Sequence, residues 1–260
     1  MPRYRLTVAY DGTHFHGWQK QRAGEGAEDL RTAQGVLEQA VIEAVREPVT
    51  LVGASRTDAG VHAVGQVAAF TCERELPMDR LCAAINARLP DDLQVRDASI
   101  VDAAFSPISD AIAKSYRYRI AWGRTGPGGA PRPLFSRYTT FWTPYRLDAV
   151  RMNEAARRLL GEHDFASFTR VNHNRESTVR TMHDCLVTAG RGRRLRIDVA
   201  GDGFLYNMVR IIAGTLIEVG RGKLEPDAIE GILAATDRSG AGDTLPPQGL
   251  CLMWIKYADA

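Results

Sequence analysis

Between two β-rich segments, at residues 49–54 and 63–72, the chain carries the stretch Ser55-Arg56-Thr57-Asp58-Ala59-Gly60-Val61-His62. This stretch brings an acid, a base and two hydroxyl groups into a tight loop between two strands. Gly60 permits a positive φ in such a loop, and the hydroxyl of Ser55 or Thr57 can hydrogen-bond to nearby backbone.

The loop predicts a carboxylate that is held at one point. Asp58 supplies the carboxylate, and we expect the guanidinium of Arg56 to lie close to it. A cation at that distance favours the charged form, so Asp58 would stay ionised beneath a bound substrate. The alternative is an ordinary Asp-Gly turn with an incidental surface ion pair, because turns between strands are rich in both residue types.

The segments around the loop predict the order β-α-β-β-α-β for the first half of the chain. In the first strand, alternation places Leu6, Val8 and Tyr10 on one face. After Thr32, apolar residues recur at the spacing of an amphipathic helix. The predicted elements are a strand at 3–11, a helix after Thr32, strands at 49–54 and 63–72, a helix after Pro77 and a strand near 93–102.

The second half predicts the same order without a sequence repeat. One face of its first strand carries Tyr116, Tyr118, Ile120 and Trp122, and the other carries arginines. The predicted elements are strands at 115–122 and near 138–142, a helix at 147–160, strands at 178–189 and 194–201, a helix at 204–219, an extra helix near 225–236 and a final strand at 250–256. We therefore predict an α+β fold with two ferredoxin-like halves, 1–110 and 111–260, whose antiparallel or mixed sheets flank a central cleft.

Composition indicates a globular protein. Hydrophobic residues make up 45% of the chain and charged residues 25%. The most apolar stretch, 211–217, is far too short to span a membrane, and the N-terminus lacks the apolar core of a signal peptide. Four scattered cysteines without a C-x-x-C motif indicate small buried hydrophobes in a reducing compartment, so we expect a cytoplasmic protein.

Charge is distributed unevenly along the chain. Residues 1–110 hold 11 Lys and Arg against 16 Asp and Glu, whereas residues 111–260 hold 22 against 15. The basic half includes a cluster formed by Arg191, Arg193, Arg194 and Arg196. A basic surface of this kind fits RNA backbone, and the alternative is a solvated hairpin tip.

Several motifs together resemble the tRNA pseudouridine synthase A family. The loop and its flanks, Gly53-Ala54-Ser55-Arg56-Thr57-Asp58-Ala59-Gly60-Val61-His62-Ala63-Val64-Gly65-Gln66-Val67-Ala68, resemble that family's catalytic loop. Further similar segments are Tyr10-Asp11-Gly12-Thr13, Phe15 to Gln21, Arg31 to Glu38, Leu159 to Phe165, Arg180-Thr181-Met182, and Phe204 to Gly220. The resemblance implies an isomerase that converts uridine to pseudouridine at positions 38, 39 and 40 of the tRNA anticodon arm, and a homodimer.

The resemblance also implies which residues act. It makes Asp58 the nucleophile and Tyr116 a substrate-binding residue that stacks on the uracil, and it pairs Arg210 with Asp58. From the residues alone, the favoured interpretation of Tyr116 is a core aromatic, and the alternative for Arg210 is a surface arginine whose stem lies along apolar neighbours. We predict Asp58, Arg56 and Arg210 as catalytic residues and Tyr116, Lys20 and Gln21 as substrate-binding residues.

The implied reaction needs no cofactor and no metal. Breaking the N1–C1′ bond of uridine and rejoining the base through C5 involves no redox change and no activated water. The histidine pairs His14 with His16 and His173 with His183 lack the spacing of a tetrahedral metal site. We therefore expect neither a metal nor an organic cofactor.

One segment departs from the family pattern. The family usually shows Phe-His-Ala-Arg-Phe ahead of the active-site tyrosine, and this chain has Phe105-Ser106-Pro107-Ile108-Ser109. A His and an Arg expected near the RNA are missing, while Lys114 keeps one charge. The departure bears on substrate affinity or range before it bears on catalysis.

Two other classes of protein compete with this interpretation. A non-catalytic RNA-binding protein on the same scaffold would need basic and aromatic surface, but not the whole Asp58 loop. A glycosidic hydrolase usually needs a second carboxylate at a set distance, and no second acid motif is evident.

Overall fold

The structure is a computed structural model that describes residues 1–21, 30–124, 126, 129–170 and 177–258. These residues form two compact units. The first unit comprises Met1–Ile112 and Cys251–Ala260, and the second comprises Ala113–Leu250. The last strand therefore groups with the first unit, whereas the sequence placed it in the second half. The division of the chain into an N-terminal half, 1–110, and a C-terminal half, 111–260, stays a prediction.

The first unit contains two helices and an open sheet. Its elements are β1 (Arg3–Tyr10), α1 (Ala33–Val45), β2 (Val52–Gly53), β3 (His62–Thr71), α2 (Met78–Asn86), β4 (Leu93–Val101) and, from the end of the chain, β10 (Leu250–Tyr257). β1 lies between β4 and β3 and is antiparallel to both. On the far side of β3, β10 pairs in parallel with its start and β2 pairs antiparallel with its later residues.

The core of the first unit follows from the alternation in β1. Tyr4, Leu6 and Val8 are wholly buried, as are Leu37 and Val41 on the apolar stripe of α1. The strand and the helix thus bury the faces that the sequence pattern indicated.

Side chains and backbone conformation set the ends of α1. The hydroxyl of Thr32 accepts a hydrogen bond from the Gly35 N–H at 3.3 Å, which is the usual cap for the first turn. Arg46 ends the helix in the left-handed conformation.

The second unit also combines a sheet with helices. Its elements are β5 (Ala111–Trp122, whose first two residues belong to the first unit), β6 (Phe141–Thr143), α3 (Ala149–Arg157), β7 (Gly161–Asp164), β8 (Val179–Ala189), β9 (Arg194–Gly201), α4 (Met208–Gly220) and α5 (Ala228–Ala235). The strands β5, β9, β8 and β7 form an antiparallel sheet in that order, and β6 runs parallel to the end of β5.

The predicted alternation in β5 is present from Tyr116 to Ile120, whereas Trp122, which was expected on the same face, is half-buried. Tyr116, Tyr118 and Ile120 are buried, while Arg117 and Arg119 are half-buried between them. The helix α4 is buried along almost its whole length, and Arg210 is a half-buried residue within it.

The elements confirm the predicted α+β class and differ from the prediction in detail. The predicted strand at 49–54 shortens to Val52–Gly53, because the chain leaves the sheet to form the Asp58 loop. The short strand β7 was not predicted, since its sequence Gly-Glu-His-Asp has neither alternation nor β-branched residues. None of the helices in the described ranges is long and apolar enough to cross a membrane.

Candidate functional site

The loop that carries Asp58 is a closed turn. The N–H of Val61 donates to the carbonyl oxygen of Asp58 at 3.1 Å. Gly60 has a φ of +78°, so the predicted positive φ at this position is confirmed. Asp58 is half-buried on this turn.

The segment after β1 holds one side of the loop. The N–H of Trp18 donates to the carbonyl oxygen of Thr57 at 3.0 Å, and the N–H of Gly60 donates to that of Phe15 at 3.3 Å. The hydroxyls of Tyr10 and Thr57 are hydrogen-bonded at 2.8 Å. The residues on both sides of Asp58 are therefore hydrogen-bonded to the same stretch of chain, residues 10–18.

Gly17 allows this close approach. Its φ is +89°, and a Cβ at this position would lie 2.7 Å from the carbonyl oxygen of Thr57. Real Cβ atoms do not come so close to backbone oxygen, so only glycine fits between the segment and the loop.

The other side of the loop is held by Gln66 of β3, which is wholly buried. Its side-chain amide hydrogen-bonds to both backbone groups of Ser55. The prediction of site residues did not include Gln66. The available signal was a polar side chain within the otherwise apolar strand His-Ala-Val-Gly-Gln-Val-Ala-Ala-Phe-Thr.

Arg56 lacks, among the described residues, the ion pair that the sequence led us to expect. The residue is exposed, and among the described residues it makes no hydrogen bond or ion pair. The expected ion pair with Asp58 is therefore absent, because the turn buries Ser55 and Thr57 and leaves the side chain between them on the outside. A catalytic role for Arg56 stays a prediction.

His62 and Asp11 stabilise the base of the loop. His62 is buried, and its Nδ1 lies 3.0 Å from the N–H of Gly12 and 3.1 Å from a carboxylate oxygen of Asp11. Partial burial raises the pKa of Asp11, but hydrogen bonds from Thr13 and the nearby His62 outweigh burial and hold that pKa below its usual value.

Arg31 holds the segment that contacts the loop. Its guanidinium forms two hydrogen bonds with the carboxylate of Asp92, at 2.9 and 2.8 Å. The same group donates to the carbonyl oxygen of His14 at 3.2 Å and lies 4.1 Å from the centre of the Phe15 ring. Arg31 thus holds the segment that contains Phe15, whose carbonyl oxygen accepts the hydrogen bond from the N–H of Gly60.

Lys20 and Gln21 follow this segment at the surface. The Nζ of Lys20 lies 2.7 Å from a carboxylate oxygen of Glu38, and its backbone N–H donates to the side chain of Gln34 at 2.8 Å. Lys20 is thus ion-paired in this structure, and Gln21 is exposed beside the end of a described range. Substrate binding by either residue stays a prediction.

In the second unit, Tyr116 is buried on β5. Its ring packs edge-on against the ring of Phe204, with centroids 5.2 Å apart and an interplanar angle of 84°. Both the core-aromatic interpretation and the substrate-binding interpretation fit this environment, and the substrate-binding role stays a prediction.

Arg210 is anchored within the second unit by its neighbours. Its Nε donates to the carbonyl oxygen of Leu245 at 2.6 Å, and its Nη1 donates to the side-chain oxygen of Asn207 at 2.8 Å. These contacts fix the direction of the guanidinium, so Arg210 is not a surface arginine whose side chain moves freely in solvent. Its predicted pairing with Asp58 stays a prediction.

The predicted basic cluster lies at the hairpin between β8 and β9. Arg191, Arg193 and Arg194 are exposed, and Arg193 lies 5.4 Å from the centre of the Trp122 ring. Arg196 pairs with Asp198 at 3.1 Å. The cluster thus lies at the tip of a hairpin, and its contact with RNA stays a prediction.

Metal and disulfide chemistry find no support among the described residues. No group of three or more His, Cys, Asp or Glu is close enough to bind a metal ion in the described ranges. His173 lies outside those ranges. No disulfide joins the four cysteines, all of which are described, and three of them are buried while Cys82 is half-buried.

Comparison with known proteins identifies the family. The model of a family described as tRNA pseudouridine synthase matches residues 6–107 and 155–258, which include the Asp58 loop and Arg210. The chain belongs to the tRNA pseudouridine synthase family. The resemblance noted in the sequence is thereby confirmed.

Full-length relatives agree with this family. A protein named tRNA pseudouridine synthase A from Geotalea uraniireducens is 43% identical over 257 residues, which cover 99% of this chain and 100% of the relative. Proteins of the same name from Bacillus pumilus and Geobacillus kaustophilus are 42% and 44% identical, over 98% and 99% of this chain and 99% and 95% of their own.

Proposed function

We propose that this protein is an isomerase that converts uridine to pseudouridine in the anticodon arm of tRNA, at positions 38, 39 and 40. The observation that carries the proposal is the family match, which spans most of the chain and includes the loop of Asp58. The relatives that share about two-fifths of the sequence bear the name tRNA pseudouridine synthase A.

The reaction exchanges one bond to the ribose for another. The N1–C1′ bond breaks, the base turns over, and a C5–C1′ bond forms. The hydrogen on C5 leaves as a proton and N1 ends with a proton, so the uracil is neither oxidised nor reduced. Such a reaction needs a positioned nucleophile or base and a surface that holds the free uracil.

In our proposal Asp58 supplies the nucleophile. A catalytic group must be held within a fraction of an ångström of its working position, and the loop meets that need through hydrogen bonds on both sides of Asp58. Tyr116 stacks on the uracil from β5, and Arg210, held by its contacts with Leu245 and Asn207, places a positive charge beside the reacting carboxylate. Arg56, Lys20 and Gln21 contact the RNA.

The substrate also bears on assembly and location. A chain of 260 residues offers a small surface for a whole tRNA, and a twofold dimer would bring two basic surfaces together. We propose a homodimer that acts in the cytoplasm, where its tRNA substrates are. The reaction needs no metal or organic cofactor.

A direct assay tests the proposal. Purified protein is incubated with unmodified tRNA in the presence of EDTA, and pseudouridine is mapped by carbodiimide treatment and reverse transcription. We expect new stops at one or more of positions 38 to 40. Tight tRNA binding without any new stop would contradict the proposal and favour a non-catalytic RNA-binding protein.

A further inference from the structure

An exposed aromatic ring lies beside the surroundings of Tyr116 and Arg210. Tyr206 keeps 50% of its surface exposed, although it lies between Leu205, which is buried, and Asn207. Two residues before it, Phe204 packs against Tyr116, and one residue after it, Asn207 accepts a hydrogen bond from Arg210. The ring is therefore next to the part of the second unit that we assign to substrate binding.

The position of Tyr206 is fixed by the backbone. The N–H of Met208 donates to the carbonyl oxygen of Leu205 at 3.1 Å, which closes a turn with Tyr206 at its corner. Asn207 takes the left-handed conformation with a φ of 60°, and the hydroxyl of Thr169 donates to the carbonyl oxygen of Tyr206 at 3.1 Å. An exposed ring on so constrained a turn loses little conformational freedom when a ligand stacks on it.

A positive charge accompanies the ring. The guanidinium of Arg170 lies 5.6 Å from the centre of the Tyr206 ring, and no carboxylate in the described ranges pairs with it. Arg180 packs beside Gly203, where its Nε is 3.5 Å from the position that a Cβ would take. The turn thus presents an aromatic face next to cations, which is the combination that binds single-stranded nucleic acid.

A second tyrosine and arginine pair in the same unit provides a comparison. Tyr145 is 46% exposed, and Arg221 lies 3.5 Å from the centre of its ring. Arg221, however, is paired with Glu218 at 3.2 Å, so its charge is already balanced within the protein. Among the residues that the structure describes, Arg170 has no acidic partner of this kind.

We propose that Tyr206 and Arg170 form a nucleobase site, in which Tyr206 stacks on a base next to the target uridine and Arg170 contacts the adjoining phosphate. Bases in RNA loops that are splayed from their stack are commonly held on aromatic rings in this way. The inference rests on the proposed function, because it requires RNA as the ligand. It adds a substrate-binding site for a neighbouring nucleotide to the site for the reacting one.

Fluorescence of a labelled RNA tests the site. Two anticodon stem-loop RNAs each carry one 2-aminopurine, which replaces the 5′ neighbour of the target uridine in one RNA and the 3′ neighbour in the other. The fluorescence of each RNA is measured when the protein binds, before the uridine is converted. We expect wild-type protein to quench one of the two RNAs by stacking, and Tyr206→Ala to remove the quenching and weaken binding roughly tenfold. Tyr206→Phe should keep both, and Arg170→Gln should weaken binding about threefold.

The control variant is Tyr145→Ala, which should bind and quench as wild type does. If circular dichroism shows that Tyr206→Ala is not folded, the test depends on whether wild-type protein quenches one of the RNAs and whether Arg170→Gln weakens binding. Absence of quenching in both RNAs, or equal effects of Tyr206→Ala and Tyr145→Ala, would overturn the inference. Pseudouridine mapping separates the two proposals: quenching without pseudouridine contradicts only the proposed function, and pseudouridine without quenching contradicts only the nucleobase site.

Discussion

Gln66 is hydrogen-bonded through its side chain to both backbone groups of Ser55. Its Nε2 donates to the carbonyl oxygen of Ser55 at 2.6 Å, and its Oε1 accepts from the N–H of Ser55 at 3.2 Å. The same oxygen accepts from the N–H of Val67 at 3.1 Å. The amide thus takes the place of strand pairing at the point where the Asp58 loop leaves the sheet, and it gives buried backbone groups of Ser55 and Val67 a hydrogen-bond partner.

Replacing Gln66 should therefore be costly. Gln66→Met keeps the length of the side chain and removes its buried hydrogen bonds to the backbone of Ser55 and Val67, so we expect a loss of about 2–4 kcal/mol in the free energy of unfolding. Urea denaturation followed by circular dichroism measures this loss. The control Gln39→Met, at an exposed site on α1 where the amide donates to Glu43, should change stability by less than about 0.5 kcal/mol. Equal effects of the two substitutions would contradict the role given to Gln66.

Two glycines should respond to alanine in opposite directions. Gly17→Ala puts a Cβ 2.7 Å from the carbonyl oxygen of Thr57 at a φ of +89°, so we expect a loss of roughly 1–3 kcal/mol in stability and a fall in activity as the loop shifts. Gly231→Ala lies within α5, where a Cβ meets open space, and it should stabilise the protein by about 0.5–1 kcal/mol. Thermal unfolding compares them, and a stable, fully active Gly17→Ala protein would argue against the close packing.

Lowering the pH should weaken the contribution of Asp11 to the stability of the folded protein. Because its pKa is lowered in the folded protein, its ionised form stabilises the fold above its unfolded pKa of about 3.9, and this contribution is lost as pH falls through the folded pKa. We expect wild type to melt above Asp11→Asn at pH 7 and this gap to close below about pH 4. Thr13→Val, which removes one donor to the carboxylate, should narrow the gap. A gap that is constant across this range would mean that the charge of Asp11 does not stabilise the fold.

Two substitutions of Tyr116 separate the effect of its ring on tRNA binding from the effect of its hydroxyl on turnover. Tyr116→Phe keeps the ring that contacts Phe204 and removes only the hydroxyl, so we expect nearly normal tRNA binding with a large loss of turnover. Tyr116→Leu should weaken both. Filter binding and pseudouridine formation measure the two effects. Full activity in both variants would show that Tyr116 is a core aromatic without a role in the reaction.

The sequence predicted those parts of the fold that depend on periodic patterns. Alternation in β1 identified which residues face the core, because this strand buries only one face, and in β5 the alternation holds from Tyr116 to Ile120. The glycine at position 60 predicted a positive φ for a steric reason that needs no tertiary contact. The family was recognised from long motifs, which include the Asp58 loop and segments of both units.

Contacts between distant segments could not be predicted in the same way. The positions of Arg56 and Gln66 show this, because one was expected to pair with Asp58 and is exposed, while the other was not singled out and anchors the loop. Both outcomes depend on which side of the turn meets β3, which no local pattern encodes. The pairing of β10 with β3 joins residues about 190 positions apart, and only chain topology sets it.

The most direct test of the proposed reaction is the rate at which the Asp58→Asn variant releases tritium from tRNA labelled at C5 of uridine. The amide has nearly the shape of the carboxylate but lacks its charge and basicity, so we expect normal folding and tRNA binding and a single-turnover rate lowered by roughly a thousandfold or more. The control Asp79→Asn, at an exposed acid on α2, should release tritium as wild type does. A rate for Asp58→Asn within about tenfold of the wild-type rate would contradict the assignment of Asp58 as the nucleophile.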